Sequence, residues 1–382
     1  MRLSIPHAKR GIVLADIGEG GAACAVATDE KSGPLHVHAL ARTVPPLEER
    51  PAGDSITRLA QSLAESALQA SKAHAERGAP HPSEIIAVVH APWIRSRTIA
   101  VERTFPEETA ITDTLIGDMA KEALTKDPAL VREDMCEGSV VHIELNGYPT
   151  RMPHGKRAHQ VKVVSLISEM QRAHREELEH ALRQAFPEIP LRWRSHARAL
   201  TSAVREHDDA SRNAVIFDVS DDGSSISVIR KHILTEQQHI SDGVHSLLAL
   251  LAPGGSREEI LSILAMRERG TCDSVQCETI QAALTAAEPA ITKRFGEALG
   301  EMAAQRRLPN DAYLIIHRDL AAWFAQFIAR IDFAQFTLSS KPFMVKTLSA
   351  DDLGAHAAFL SPIIPDLGIA LAAALVHSER RS

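Results

Sequence analysis

Apolar positions come in short unbroken runs near the N-terminus and again past the middle of the chain. Gly11-Ile-Val-Leu-Ala15 is a continuous run of the buried-strand type, followed by Asp16-Ile-Gly18-Glu-Gly20-Gly21. Residues 22–27 resume as a second strand, and residues 35–41 alternate as a third. Consecutive strands joined by a Gly-rich turn predict an antiparallel opening and not a βαβ unit. Ile56, Leu59, Leu63, Ala67 and Leu68 then mark one helix face behind the caps Asp54 and Ser55, and residues 85–90 read as a fourth strand. A different pattern follows: an extended stretch at 97–103, a helix over 109–125, and a hairpin. The hairpin runs from Ser139 to the turn Asn146-Gly147, with its return strand over 159–167. Ser168-x-x-Gln171 has capping-box spacing ahead of an amphipathic helix carrying Leu178, Ala181, Leu182 and Ala185.

The second half repeats the opening. Residues 213–219 form a buried-type strand, Ser220-Asp-Asp-Gly223-Ser224 a turn, 225–230 the returning strand and 233–240 a third. Asp16 and Asp218 end the first strand of each copy. Such self-similarity predicts two like halves facing each other across a cleft. Helices are predicted over 242–251, 256–269, 277–306, 320–331 and 366–377, with a strand at 313–317.

Composition narrows the class. The chain has 382 residues, 45% of them hydrophobic and only 4% aromatic. It therefore builds its core from Ala, Leu, Ile and Val and lacks stacking platforms for single-stranded nucleic acid. With 42 basic and 49 acidic residues the net charge is −7, which gives the whole surface no attraction for a polyanion. The expectation is no nucleic-acid partner. Cys24, Cys136, Cys272 and Cys277 make no disulfide framework or zinc pattern, so Cys272 and Cys277 are expected simply to pack. No apolar leader follows Met1, and the apolar stretch 368–376 is too short to span a bilayer. A cytoplasmic protein is expected.

A turn of Asp-x-Gly type between antiparallel strands presents backbone N–H groups that can hold phosphate. The Asp at its start can hold hydrated Mg²⁺. The candidate site is therefore Asp16, Gly18, Gly20, Gly21, Asp218, Gly223, Ser224 and Ser225, with Asp16 and Asp218 facing the metal.

Carried by these residues, the sequence resembles the actin-like ATPase superfamily, whose two phosphate loops Asp16-Ile-Gly18 and Asp218-Val-Ser-Asp-Asp-Gly223-Ser-Ser look like. The middle segment is similar to the FtsA/PilM branch: His90-Ala-Pro-Trp-Ile-Arg-Ser96 to the first strand region of its inserted domain, and 145–158 to its hairpin loop. Residues 365–373 resemble the closing helix. The resemblance implies an α/β, actin-like fold with two duplicated halves around a cleft and an FtsA-type small inserted domain. The expected division is a first half over 8–83 and 168–212, interrupted by the inserted domain at 84–167. The second half would have its core over 213–255 and 310–365, a helical lid over 256–309 and the closing helix at 366–382.

Three features depart from the superfamily's pattern. Ser220, Asp221 and Asp222 stand where the second loop carries Gly, and each added carboxylate repels a polyphosphate by roughly 4 kcal/mol at about 4 Å and a dielectric of about 20. His317-Arg318-Asp319 replaces the glycines at the adenosine strand end. The helix beginning at His196 has no acid or Gln near its start to position water. ATP and Mg²⁺ are accordingly expected to bind weakly or not at all, with no catalytic residue assigned. The function implied is a cytoplasmic FtsA/PilM-like adaptor for cell division or type IV pilus assembly. Its partners would be an FtsZ-like or pilus inner-membrane protein, contacted through the inserted domain and the lid, with self-association in the repertoire. The chain stops at Ser382 without the amphipathic helix of FtsA-type proteins, so membrane attachment is expected through a partner. The alternatives are a polymerising ATPase and a sugar-kinase-type phosphotransferase. Arg151, His154, Lys156 and Arg157 are read as a solvated basic loop and Trp93 as core.

Overall fold

The computed structural model describes residues 10–18, 21–30, 33–44, 56–78, 80–207, 212–251 and 256–380. The caps expected at Asp54 and Ser55, and Glu19 and Gly20 of the first turn, lie outside them.

Strands β1 (Arg10–Gly18), β2 (Gly21–Asp29) and β3 (Leu35–Thr43) pair antiparallel in chain order. After helix α1 (Ile56–Arg77), β4 (Pro82–Val89) lies parallel to β1. β1 and β2 are buried on both faces, so their sequences read as unbroken apolar runs and not as alternation. On one face α1 packs Leu59, Leu63 and Ala67 against Val13, Ala15 and Val26.

The chain then builds a separate four-stranded sheet. β5 (Arg95–Ala110) leads to α2 (Asp113–Lys126), β6 (Met135–Leu145), β7 (Tyr148–Pro149) and β8 (Arg157–Glu169), in the order β5-β8-β6-β7. Asn146 and Gly147 both take positive φ, as a tight hairpin turn requires. The turn joins β6 to the two-residue β7, while β8 returns on the other side of β6. The expected boundary at residue 84 falls inside β4, which belongs to the first sheet. Ser168 does not cap a helix. It lies buried in β8 and donates to Glu137, and α3 (Arg172–Arg183) starts at Gln171 without a side-chain cap. Pairing with β5 and β6 outweighed the local capping signal.

β9 (Leu191–Ser195) rejoins the first sheet beside β4 and runs directly into α4 (His196–His207). The second half comprises β10 (Asn213–Val219), β11 (Ser224–Arg230), β12 (Ile233–Ile240), α5 (Val244–Leu251), α6 (Arg257–Glu268), α7 (Ser274–Gln305), β13 (Asp311–Ile315), α8 (Arg318–Ile328) and β14 (Met344–Thr347). β15 (Ala357–Phe359) then crosses back to pair with β3, and α9 (Leu367–Arg380) follows.

The first sheet reads β15-β3-β2-β1-β4-β9 and the second β12-β11-β10-β13-β14. Without β15 the two share one order: three antiparallel strands, then two parallel ones on the far side of the first. The duplication legible in the sequence is thus a duplication of topology. α4 and α9 pack against each other between the sheets, in a core that joins Ile12, Leu14 and Val88 of the first half to Ala214, Ile216 and Tyr313 of the second. α9 is buried on nearly all sides, which its run of Ala, Leu and Ile permits. No helix among the described residues is long and apolar enough to cross a membrane.

Cys272 and Cys277 form a disulfide, contrary to the packing expected of them. Asp273 caps α7 by accepting from Gln276 N, and this turn brings the two Cα atoms to 5.9 Å, within bonding range.

Candidate functional site

The two duplicated aspartates meet where the halves face each other. Asp16 is 3% and Asp218 7% exposed. They are bridged by two histidines. His90, just past β4, presents Nε2 to Asp16 Oδ1 at 2.8 Å and Nδ1 toward Asp218 Oδ2 at 4.0 Å. His196, the first residue of α4, lies with Nε2 3.3 Å from Asp218 Oδ2. The two imidazoles stack with centroids 3.4 Å apart. Register places them there. β4 runs parallel to β1 with His90 N donating to Ile17 O, and β9 ends one residue before His196 in line with the same edge.

A cation closes the other side of Asp16. Arg42, at the end of β3, donates Nη2 to Asp16 Oδ2 at 2.7 Å, and Nε and Nη2 to Asp366 at 2.6 and 2.9 Å. Asp366 also accepts from Ile369 N at the start of α9. Gly368 in that first turn lies directly on the Asp16 carboxylate, so closely that any Cβ there would collide with it.

These contacts set the charges. Burial alone would raise the Asp16 carboxyl, yet the charge and hydrogen bond of His90 and the charge of Arg42 hold it far below the usual carboxylate range. Burial opposes the Arg42 cation, but Asp366 and Asp16 raise it on balance. His90 is depressed by burial and raised more by Asp16. His196 is lowered by burial and by the neighbouring His90 charge, against the pull of Asp218. Asp218 is lowered, burial being outweighed by His196 and His90. A proton therefore resides on His90 before His196.

The second loop is closed on itself. Ser220 N and Oγ both donate to Gly223 O, at 2.9 Å each. Val244 N donates to Ser220 O and His245 N to Asp221 O, both at 2.8 Å, so the loop carbonyls take up the first N–H groups of α5. Gly243 permits this, because a Cβ there would strike Ser220 O and the Gly223 backbone. Asp222 pairs with His245 Nδ1 at 2.8 Å, and Ser224 Oγ donates to Asp242 O. Ser225 is buried opposite Asp218 in the β10–β11 pairing. Gly18 ends β1 opposite Gly21, with the His90 ring against it.

Asp16, Asp218, Gly18, Gly21, Gly223, Ser224 and Ser225 thus gather at the facing ends of β1–β2 and β10–β11. The sequence reading missed His90, His196, Arg42, Asp366 and Gly368. His90 and His196 each immediately follow a strand parallel to the Asp16 strand or next to one, which was the available signal. His317 serves α8 as its N-cap and accepts from Asp319 N. Trp93 packs partly buried against the first core, edge-on to His174, as expected.

A cavity of about 1000 Å³ opens elsewhere, between the inserted sheet and both halves. β6, β7 and the 150–154 loop form one wall, with Arg205, Arg212 and Lys231 opposite.

No known sequence family and no curated protein matches the chain. Among solved structures, it is similar to a PilM-PilN type IV pilus biogenesis complex at 16% identity, with 97% of this chain and 99% of that one covered and a TM-score of 0.54. It also matches ethanolamine utilization protein EutJ from Carboxydothermus hydrogenoformans at 14% identity, covering 97% and 90%, with a TM-score of 0.45. ROK hexokinase from Thermus thermophilus aligns at 15% identity over 96% and 99%, with a TM-score of 0.37. With its two duplicated sheets, facing aspartates and inserted four-stranded sheet, the chain has the actin-like ATPase fold in its PilM-like form.

Proposed function

We propose that this protein is a PilM-like actin-fold adaptor that joins partners of a membrane-associated machine, for pilus assembly or cell division, from the cytoplasmic side, with weak ATP binding or none. The observation that carries this reading is the cleft floor. Both carboxylates that would face Mg²⁺ are already engaged by protein groups, Asp16 by Arg42 and His90 and Asp218 by His196. A hydrated Mg²⁺ prefers oxygen ligands in octahedral array, and a guanidinium with two imidazoles fits it poorly. The second loop's carbonyls occupy the α5 N–H groups that a phosphate would seek.

Partner binding would instead use the cavity beside the inserted sheet. Val140 and Ile143 on its wall, the exposed Met152, and Arg151, Arg205, Arg212 and Lys231, which outnumber Asp113 and Glu144 in the lining, suit an extended segment with apolar anchors and acidic flanks. The pilus biogenesis complex, similar in fold, pairs PilM with PilN, which supports a protein of the pilus assembly as the partner class. Domain boundaries follow the same reading: 95–169 as the inserted domain, flanked by the two parts of the first half.

Calorimetry tests both parts. Cytoplasmic peptides of a pilus inner-membrane protein and of an FtsZ-like protein are titrated into the chain, and Mg-ATP is titrated separately. One peptide is expected to bind, and to lose at least about tenfold on Met152→Asp, as a buried apolar anchor would. Micromolar Mg-ATP binding with turnover would replace this reading with the active, polymerising ATPase.

A further inference from the structure

The cleft floor holds an arrangement that the adaptor reading leaves unused. One ligand atom each from Asp16, His90 and His196 lies within 4.8 Å of the others, and Asp218 Oδ2 is 3.3 Å from His196 Nε2 and 4.0 Å from His90 Nδ1. His196 is 4% exposed, yet neither ring nitrogen has a hydrogen-bond partner of good geometry among the described residues, and neither has His90 Nδ1. Buried polar nitrogens left unmatched are costly, and two stacked imidazoles facing two carboxylates are an uncommon way to leave them.

We infer that Asp16, His90 and His196, with Asp218 beside His196, form a binding site for one borderline transition-metal dication of the Zn²⁺ class, where the fold's relatives would hold a nucleotide-bound Mg²⁺. Donor chemistry carries the choice. Imidazole nitrogen with carboxylate oxygen suits Zn²⁺ and its neighbours, whereas Mg²⁺ wants oxygen alone. Spacing agrees. Ligands at about 2.0–2.1 Å around a tetrahedral ion stand roughly 3.3 Å from one another, and one atom each from Asp16, His90 and His196 falls within 4.8 Å of the others, Asp16 Oδ1 and His90 Nε2 being 2.8 Å apart. Binding moves the Asp16 Oδ1–His90 contact from hydrogen bond to shared coordination and leaves Oδ2 on Arg42. That retained hydrogen bond orients the ligating carboxylate, as outer-shell partners of metal ligands do. Asp16 and His90 belong to the first sheet and His196 to the helix between the sheets, where Asp218 of the second sheet stands 3.3 Å from its Nε2. The ion would therefore fasten the cleft at one angle, without chemistry.

The test uses the full chain, stripped with chelator and dialysed. Zn²⁺ is titrated by calorimetry with a competing chelator, and Co²⁺ by visible absorption. One equivalent of each is expected, Co²⁺ with the intense bands of a four-coordinate site, and Zn²⁺ with a rise in melting temperature that Mg²⁺ does not produce. His196→Ala is expected to weaken Zn²⁺ by more than the roughly 10–100-fold that outer-shell changes cost. Cys272→Ser with Cys277→Ser is expected to leave affinity unchanged. X-ray absorption on the Zn²⁺-loaded unmutated protein needs no variant to fold, and is expected to read two imidazoles with oxygen and no sulfur. Stoichiometric binding that survives His196→Ala, a shell containing sulfur, or no binding at micromolar Zn²⁺ would each overturn the site. None of these outcomes bears on peptide binding, so the adaptor reading stands or falls separately.

Discussion

Arg42 is the residue on which the cleft floor depends most. It forks between Asp16 and Asp366, and removing it leaves one fully buried carboxylate facing another through the first turn of α9. Breaking a buried ion pair from one side costs about 3–5 kcal/mol, but a third of the Arg42 side chain is exposed and solvent screens it, so Arg42→Met is expected to lose about 1–2 kcal/mol in urea denaturation. Arg42→Lys should recover only part, because an ammonium cannot reproduce the fork. A Met variant as stable as the parent would mean the network contributes nothing. Gly368 poses the opposite question, since alanine there gains about 1 kcal/mol of helix propensity. The same methyl would collide with Asp16, whose carboxylate is pinned by Arg42 and His90 and cannot retreat. Overpacking of this kind costs about 1–3 kcal/mol, so Gly368→Ala is expected to destabilise on balance. The loss should shrink in an Asp16→Ala background. Equal losses in both backgrounds would place the clash elsewhere.

At the scale of elements, ion pairs hold β9, α4 and α9 to the inserted sheet. Glu137 on β6 is 3% exposed and accepts from Ser195 N, Ser168 Oγ and Arg198. Glu379 near the end of α9 accepts from Arg194, with Arg198 also 2.9 Å away. Burial would raise the Glu379 carboxyl, but the Arg194 hydrogen bond and the charges of Arg198 and Arg194 hold it below its ordinary 4.5. A depressed carboxyl stabilises the fold above its unfolded value, and the contribution disappears as pH falls through the folded one. Urea midpoints measured from about pH 6 down to about pH 3 should fall less steeply in Glu379→Gln than in the parent. Identical slopes would show that Arg194 and Arg198 do not hold Glu379 as described. Of these elements, the sequence showed α4 and α9 but not β9. Leu191-Arg-Trp-Arg-Ser195 is short, with two of its five residues charged, and it becomes a strand only through pairing with β4. β14 and β15 are likewise defined by partners distant in the chain, Asp311–Ile315 and Leu35–Thr43. In contrast, β1–β2 and β10–β11 announced themselves, because sheets covered on both faces demand unbroken apolar runs.

For the whole molecule, the duplication brings Asp16 and Asp218 together through the packing of α4 and α9 between two like sheets. If the cleft is closed to nucleotide as proposed, about 1 mM Mg-ATP should stabilise the chain by less than about 0.4 kcal/mol, the value for a dissociation constant equal to that concentration. A larger rise in thermal denaturation would show that Arg42 and the histidines yield to the nucleotide. The sequence by itself determined the two halves, the insertion within the first and the position of the aspartates, because these follow from local burial patterns and their repetition. Tertiary structure alone decided what the aspartates face. His90, His196, Arg42 and Gly368 lie 26 to 352 residues from Asp16 in the chain, and no local rule links them. Only the parallel register of β4 beside β1, and the close approach of α9, turn a phosphate-loop signature into a carboxylate enclosed by imidazole, guanidinium and helix backbone.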